Sequence, residues 1–192
     1  DELLDVIAGS AGVCGALLAA HAFRPDARLV DAAVRRAEHL LAKRVECESG
    51  FGWNSRSSRA PLTGFSHGAA GIGWALLRVG HLANREDLTS GGLKAFEYER
   101  SVYNGENFSW PDFREVVADE ASAGYSTAWC HGGPGIGLSR ATLPPSRIGA
   151  ASGRLRVLSD AAHNPRAEVA VSGTGHAPVL TATPASLDFG AG

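Results

Sequence analysis

Glycine spacing is the feature that most constrains the fold of this 192-residue chain, which contains 24 glycines. Three segments can be superimposed, each with glycine, a small residue, alanine or proline, glycine and then apolar residues: GSAGVCGALLA from Gly9, GAAGIGWALLR from Gly68 and GGPGIGLSRAT from Gly132. They start 59 and 64 residues apart. A period of about 60 residues accommodates two helices and their connections, so we expect a helical repeat.

Each unit is predicted to contain a short inner helix that begins at glycine, followed by an amphipathic outer helix. After Pro25, apolar residues recur at helical spacing with charges on the opposite face: Val30, Ala33, Val34, Ala37 and Leu41. Asp26 is the expected N-cap of this helix. The second unit repeats the order over residues 68–82 and 87–103, although Gly91 and Gly92 each weaken its outer helix by about 1 kcal/mol relative to alanine.

Two interpretations of the glycines stay open. Helices that begin at glycine could approach one another or a ligand closely, with their free N–H groups and positive dipole ends turned toward a common polar centre. Alternatively, the glycines only permit tight packing between helices.

Composition excludes several functional classes. Hydrophobic residues make up 44% of the chain and charged residues 20%, which is typical of a globular protein, and a net charge of −2 argues against nucleic acid as a partner. The three cysteines are too few for a disulfide framework and fit a reducing cytoplasm. The sequence has no apolar run that could span a membrane and no signal peptide, and the absence of Met predicts an excised or partial product.

The sequence changes character after about Leu143. PPSRIGAASGR has the composition of a loop, whereas Val169 and Val171 alternate with polar residues as in a strand, and SGTG is predicted to be a turn. We therefore predict a helical domain over residues 1–143, a linker or junction over 144–164 and a fragment of a β-type repeat over 165–192.

Three residues in or near the repeated segments could carry chemistry. Cys130 is a potential zinc ligand or a small buried residue, and the adjacent His131 is not counted as a co-ligand because neighbours on a helix point in different directions. His67, directly before Gly68, could transfer a proton or be a hydrogen-bonded structural histidine. Asp5, at the start of the first unit, places a carboxylate there that could also be a helix cap or a solvated acid.

Four motifs together resemble the lanthionine synthetase C-like cyclases, in particular the cyclase domain of the bifunctional class II lanthipeptide synthetases. They are DVIAGSAG, PLTGFSHGAAGIGWALLR, YERSVYNGENFSWPDFR and WCHGGPGIGLSR, and they cover about residues 1–143. The resemblance implies an all-α fold, part of an α/α toroid, with zinc at its centre. It also implies addition of a peptide cysteine thiol to dehydroalanine or dehydrobutyrine, which forms thioether rings in a dehydrated ribosomal precursor peptide.

The resemblance carries over to three positions. Cys130 matches the family's first zinc-binding cysteine, His67 its active-site histidine and Asp5 its active-site aspartate. The family takes its other two zinc ligands from a later Cys-His pair, and no cysteine follows Cys130 here. The toroid is also incomplete, so self-association through its open end is expected.

The missing ligands leave more than one hypothesis about function. The chain could be a zinc-dependent cyclase or a fragment of one, or it could be a catalytically inactive remnant or a peptide-binding helical repeat. A glycosidase on an α/α toroid is a weaker third hypothesis that requires paired carboxylates, and four acidic residues show no arrangement that selects it: Asp5, Asp112, Glu115 and Asp119.

The tail has a separate resemblance. SDAAHNPRAEVAVSGTGHAPVLTATPASLDFG is similar to the junction between immunoglobulin-like repeats of spindle- and cilium-associated proteins and of bacterial surface proteins. This likeness implies the last strand of one repeat followed by the first strand of the next.

Overall fold

The computed structural model describes residues 3–55, 58–114, 124–141, 149–158, 166–176 and 179–180. The chain divides into two units, Asp1–Leu143 and Pro144–Gly192. Within its described residues the first unit contains five helices and four two-residue strands, and the second contains three strands.

The helices of the first unit alternate along the chain between inner and outer positions: α1 (Ser10–Phe23), α2 (Ala27–Ala42), α3 (Ala69–Ala83), α4 (Glu86–Ser101) and α5 (Gly133–Ala141). The inner helix α3 packs against α1 and α5 as well as against the outer helices α2 and α4. The predicted fold class, a partial helical toroid followed by a short β-type tail, is therefore confirmed.

The outer helix α2 begins where the sequence predicts. The Asp26 carboxylate accepts a hydrogen bond from the N–H of Arg28 at 2.9 Å, so it caps the helix N-terminus. Of the predicted apolar face, Ala33 and Ala37 are fully buried, and Leu40, which the prediction omitted, is buried beside them. Its carbonyl oxygen accepts a hydrogen bond from the indole N–H of Trp53 at 2.8 Å.

Gly91 and Gly92 have a packing role that offsets their poor helix propensity. A Cβ on Gly91 would lie 2.7 Å from the Cδ1 atom of Leu41, and a Cβ on Gly92 would lie 2.5 Å from the Cγ atom of Leu77. The two glycines therefore let α4 approach both α2 and α3 more closely than any side chain would allow.

Tyr98 of α4 anchors the segment that leads to the second repeat. Its hydroxyl donates a 2.6 Å hydrogen bond to the Pro61 carbonyl, and the residue is 4% exposed. Tyr98→Phe should lower the free energy of unfolding by about 1–2 kcal/mol, because it removes a buried hydrogen bond and leaves the carbonyl without that donor. Urea denaturation would measure the change. Tyr103→Phe, at a ring that is 41% exposed, is the control, and equal effects of the two variants would contradict the prediction.

Short strands tie the connecting segments together. Strands β1 (Val45–Glu46) and β2 (Phe51–Gly52) form one antiparallel pair, and β3 (Pro111–Asp112) and β4 (Gly124–Tyr125) form another. The second pair places β3 beside the segment that leads to α5.

The second unit contains an antiparallel sheet of β5 (Gly149–Leu158), β6 (Arg166–His176) and β7 (Val179–Leu180), with β6 in the middle. The strand predicted around Val169 and Val171 is present, but two other predictions were wrong. SGTG lies inside β6 and is not a turn, and residues 149–154 of the PPSRIGAASGR segment, predicted to be a loop, belong to β5. Turn-type composition misled both assignments, because pairing from Gly149 with Gly175 to Leu158 with Arg166 depends on residues distant in sequence.

Candidate active site

Three similar turns precede the inner helices and form the centre of the candidate site. We call them the first, second and third glycine turns, residues 5–9, 64–68 and 128–132. Each ends at the glycine that begins the repeated sequence. The backbone of Gly9 (φ −118°, ψ −169°) and that of Gly68 (φ −119°, ψ −169°) are almost identical, so the sequence repeat is also a repeat of conformation.

The N-terminal N–H groups of the inner helices are bonded to the chain segments just before them. The N–H of Ser10 donates to the Leu3 carbonyl at 3.0 Å, and in the second repeat the N–H of Ala69 donates to the Leu62 carbonyl at 2.8 Å. These N–H groups, which a helix normally leaves unpaired, therefore already donate to carbonyl oxygens of the preceding segment. The interpretation that they face a ligand does not hold for these two groups.

Tight packing explains the glycines, but the partner is the helix's own turn. One turn into each inner helix, a Cβ would lie within 2.1 Å of a carbonyl oxygen: Gly12 against Val6 at 2.1 Å, Gly71 against Phe65 at 1.9 Å and Gly135 against Trp129 at 1.7 Å. Since the obstacle is main chain, no rearrangement of a side chain would relieve the contact.

Main-chain hydrogen bonds join the three turns in series. The N–H of Val6 donates to the Ser66 carbonyl at 2.9 Å, and the N–H of Ser66 donates to the Cys130 carbonyl at 3.2 Å. Gly64, which begins the second turn, has φ +96°, and a Cβ there would lie 2.5 Å from the Cys130 carbonyl oxygen. The second and third turns can therefore approach this closely only with glycine at position 64.

Asp5 and His67 come into direct contact across the first two turns. The distance between His67 Nδ1 and Asp5 Oδ2 is 2.6 Å, and Asp5 Oδ1 accepts a 2.8 Å hydrogen bond from the N–H of Ala8. The Asp5 side chain is 17% exposed and that of His67 is 38% exposed. With an ionised Asp5 as acceptor, the Nδ1 atom carries the proton and Nε2 has a free lone pair, which is the arrangement of a general base.

His131 is a third member of the site that the sequence argument set aside. Its ring stacks on the His67 ring with the centroids 5.3 Å apart and the planes inclined by 19°. Burial lowers its pKa, the positive charge of Arg114 lowers it further, and the Asp112 carboxylate opposes both effects. Cys130 and His131 lie in a turn and not on a helix, so the premise for excluding His131 was wrong. The repeat itself held the signal, because His131 precedes Gly132 as His67 precedes Gly68.

Cys130 is half-buried in the third turn, and it interacts electrostatically with Arg114. Arg114 pairs with Asp112, its Nε atom lying 2.9 Å from Asp112 Oδ1, and this hydrogen bonding raises the pKa of the guanidinium, with a smaller contribution from Cys130. Burial alone would raise the pKa of Asp112, but the hydrogen bonds from Arg114 hold it below its usual value. Strand pairing of β3 with β4 places this ion pair next to the segment that enters the third turn.

The described residues do not form a zinc site. In the parts of the chain that the structure covers, no three His, Cys, Asp or Glu side chains are grouped so that they could hold a metal ion. A catalytic zinc usually requires three protein ligands, and Cys130 supplies one candidate. The expected zinc centre therefore does not fit the residues that the structure describes.

Comparison with known proteins identifies one family. The family model described as "Lanthionine synthetase C-like protein" matches residues 1–163. No curated protein matches the chain, and no solved structure matches it. Nothing in these comparisons bears on the immunoglobulin-like tail, which stays a prediction. Over the described residues, no helix has the length and apolar character needed to cross a membrane.

Proposed function

Because the chain belongs to the lanthionine synthetase C-like family, we propose that its helical unit carries the proton-transfer groups of a thioether-forming cyclase. The observation that carries this proposal is the 2.6 Å contact between His67 and Asp5, which joins two residues 62 positions apart. The substrate would be a dehydrated peptide that contains both a cysteine and a dehydroalanine or dehydrobutyrine.

His67 would move one proton in each direction during the reaction. The cysteine sulfur bonds to Cβ of the dehydro residue, the π electrons of the double bond shift to give an enolate, and Cα then takes up a proton. His67 Nε2 would remove the proton from the thiol and return a proton to Cα, so no net proton is gained or lost. Asp5 would stabilise the imidazolium between the two transfers, since its carboxylate accepts the Nδ1–H bond.

Exposed apolar side chains near these residues support a peptide as the substrate. Ile7 in the first turn is 56% exposed and Trp129 in the third turn is 53% exposed. Exposed apolar surface beside polar groups is typical of a binding site. The same surface also favours the second candidate function, a repeat that binds the peptide without converting it.

A cyclisation assay separates these two functions. A short peptide with one dehydroalanine and one cysteine is incubated with the full chain, and samples are then treated with iodoacetamide. Ring closure leaves the peptide mass unchanged and blocks alkylation, so mass spectrometry counts both forms. Cyclisation faster than in a protein-free reaction would support the cyclase, whereas peptide binding without rate enhancement would favour the binding repeat. If the chain neither binds nor cyclises the peptide, both candidate functions are contradicted.

The number of side chains that can bind zinc determines how much zinc the chain should contain. The family implies zinc, and we propose Cys130 as the ligand that this chain would contribute. A single candidate ligand holds zinc weakly, so the purified chain should contain much less than one zinc per molecule by elemental analysis. Because that amount is already close to the background of the measurement, Cys130→Ala should not lower it detectably. Close to one zinc per chain, lost in Cys130→Ala, would mean that residues outside the described set complete the site.

The glycosidase hypothesis receives no support from the described carboxylates. Asp5 is engaged with His67, and Asp112 with Arg114. Glu115 and Asp119 lie outside the described residues. A glycosidase requires two carboxyl groups on opposite sides of a glycosidic bond, one of them able to act as an acid, whereas both of these carboxylates are already paired with a basic side chain.

A further inference from the structure

Glu99 is a buried carboxylate that the proposed reaction does not use. It lies on α4, an outer helix, and is 0% exposed. Its Oε1 atom accepts a hydrogen bond from the N–H of Gly64 at 2.9 Å, and its Oε2 atom lies 2.7 Å from Nη1 of Arg140. The Arg140 contact is an ion pair whose charge attraction favours the ionised carboxylate.

The hydrogen bond to Gly64 acts on the turn that carries His67. Gly64 is the first residue of the second glycine turn, and its N–H has no donor role inside a helix. The same residue lies against the third turn, where a Cβ would be 2.8 Å from Cα of His131. The Glu99 carboxylate therefore fixes the start of one turn at the point where it touches the next.

Arg140 links the same carboxylate to the helix that follows the third turn. It lies on α5, and its guanidinium carbon is 3.8 Å from the centroid of the Phe96 ring on α4. Glu99 thus contacts the second turn with one oxygen and α5 with the other, so a single side chain bridges the His67 turn and the helix that follows the Cys130 turn.

Stability alone does not explain why a charged side chain is buried at position 99. Burial raises the pKa of Glu99, and the Arg140 cation opposes that rise, as expected for a charge that has lost its water. Buried ion pairs are often no more stabilising than apolar residues of similar volume. A directed acceptor for one particular N–H, by contrast, is something that an apolar side chain cannot supply.

We propose that Glu99 is a positioning residue that, through the Gly64 N–H, holds the His67 turn against the Cys130 turn. A catalytic consequence of this role rests on the cyclase function proposed above, but the hydrogen bond between Gly64 and Glu99 does not depend on turnover. The test therefore uses readouts that do not require catalysis.

Two double variants isolate the acceptor: Glu99→Gln with Arg140→Leu, and Glu99→Leu with Arg140→Leu. Both lack the ion pair, and only the first keeps an oxygen for the Gly64 N–H. The readout is the iodoacetamide alkylation rate of Cys130 relative to Cys47 in the same molecule, with stability followed by urea denaturation. We expect the leucine variant to alkylate Cys130 about fivefold faster than the glutamine variant, the effect of one lost hydrogen bond.

Equal Cys130 rates in the two folded variants would overturn the proposal. If either variant fails to fold, amide hydrogen exchange of Gly64 in the unmodified chain answers the same question. Protection comparable to that of α3 amides is expected, and exchange at the rate of an open loop would contradict the hydrogen bond to Glu99. An absence of cyclisation would contradict the proposed function and leave these two measurements valid.

Discussion

Replacing His67 with alanine is expected to slow thiol addition to dehydroalanine by about 10²- to 10⁴-fold, the range for losing a general acid–base group. The reason is that the reaction requires one proton to be removed from the thiol sulfur and one proton to be delivered to Cα, and both transfers are assigned to His67. The side chain is 38% exposed but bonds to Asp5 and stacks on His131, so the free energy of unfolding should fall by about 1 kcal/mol, the effect of one lost hydrogen bond. The alkylation-coupled cyclisation assay measures the rate, and urea denaturation measures the stability.

Two further variants sharpen this result. Asp5→Asn should also reduce the rate, because an amide nitrogen facing Nδ1 favours the tautomer with the proton on Nε2 and removes the base. His81→Ala, at an exposed histidine near the end of α3, should leave the rate unchanged. A His67→Ala variant as fast as the unmodified chain would show that His67 is structural.

Gly135→Ala should be among the most destabilising single changes in the helical unit. The new Cβ would lie 1.7 Å from the Trp129 carbonyl oxygen and 2.9 Å from Cβ of Phe65, so both the third and the second turn would have to move. We expect a loss of about 3 kcal/mol in the free energy of unfolding, near the upper end for overpacking. Because the third turn also carries Cys130, its alkylation rate should rise in the same variant.

Gly137 provides the matched control for this change. It lies two residues further along α5, where a Cβ would meet no atom within 4 Å. Gly137→Ala should therefore raise stability by up to about 1 kcal/mol through helix propensity. If the two alanine variants shifted the urea midpoint in the same direction, the turn contact would not be the reason for glycine at position 135.

Local sequence signals predicted the helices well, because their determinants lie close together along the chain. Asp26 and the apolar face of α2 are read within about five turns of helix, and the observed helix begins directly after the predicted cap. The same local reasoning failed for β5, whose glycine, alanine and serine residues give no strand signal of their own. There, the pairing partner in β6 decides the conformation.

The candidate site was predictable only in part. Asp5 and His67 could each be selected by resemblance, but the hydrogen bond between them depends on how the first two turns pack. His131 was excluded by an assumption of helix, although its position before Gly132 repeats that of His67. Glu99 could not have been selected from the sequence, because its importance comes from burial and from a hydrogen bond to a glycine 35 residues away.

The serial bonding of the three turns has an evolutionary consequence, since it uses only main-chain atoms and leaves the side chains free to differ. The position before the glycine holds alanine in the first turn and histidine in the other two, while the position before that differs in all three: Ile7, Ser66 and Cys130. A duplicated unit that keeps its glycines therefore inherits the same backbone packing, whatever side chains occupy these two positions. One or two codon changes then decide whether the new copy presents a spacer, a proton carrier or a thiol, so the chemistry of such a protein can diversify without a new architecture.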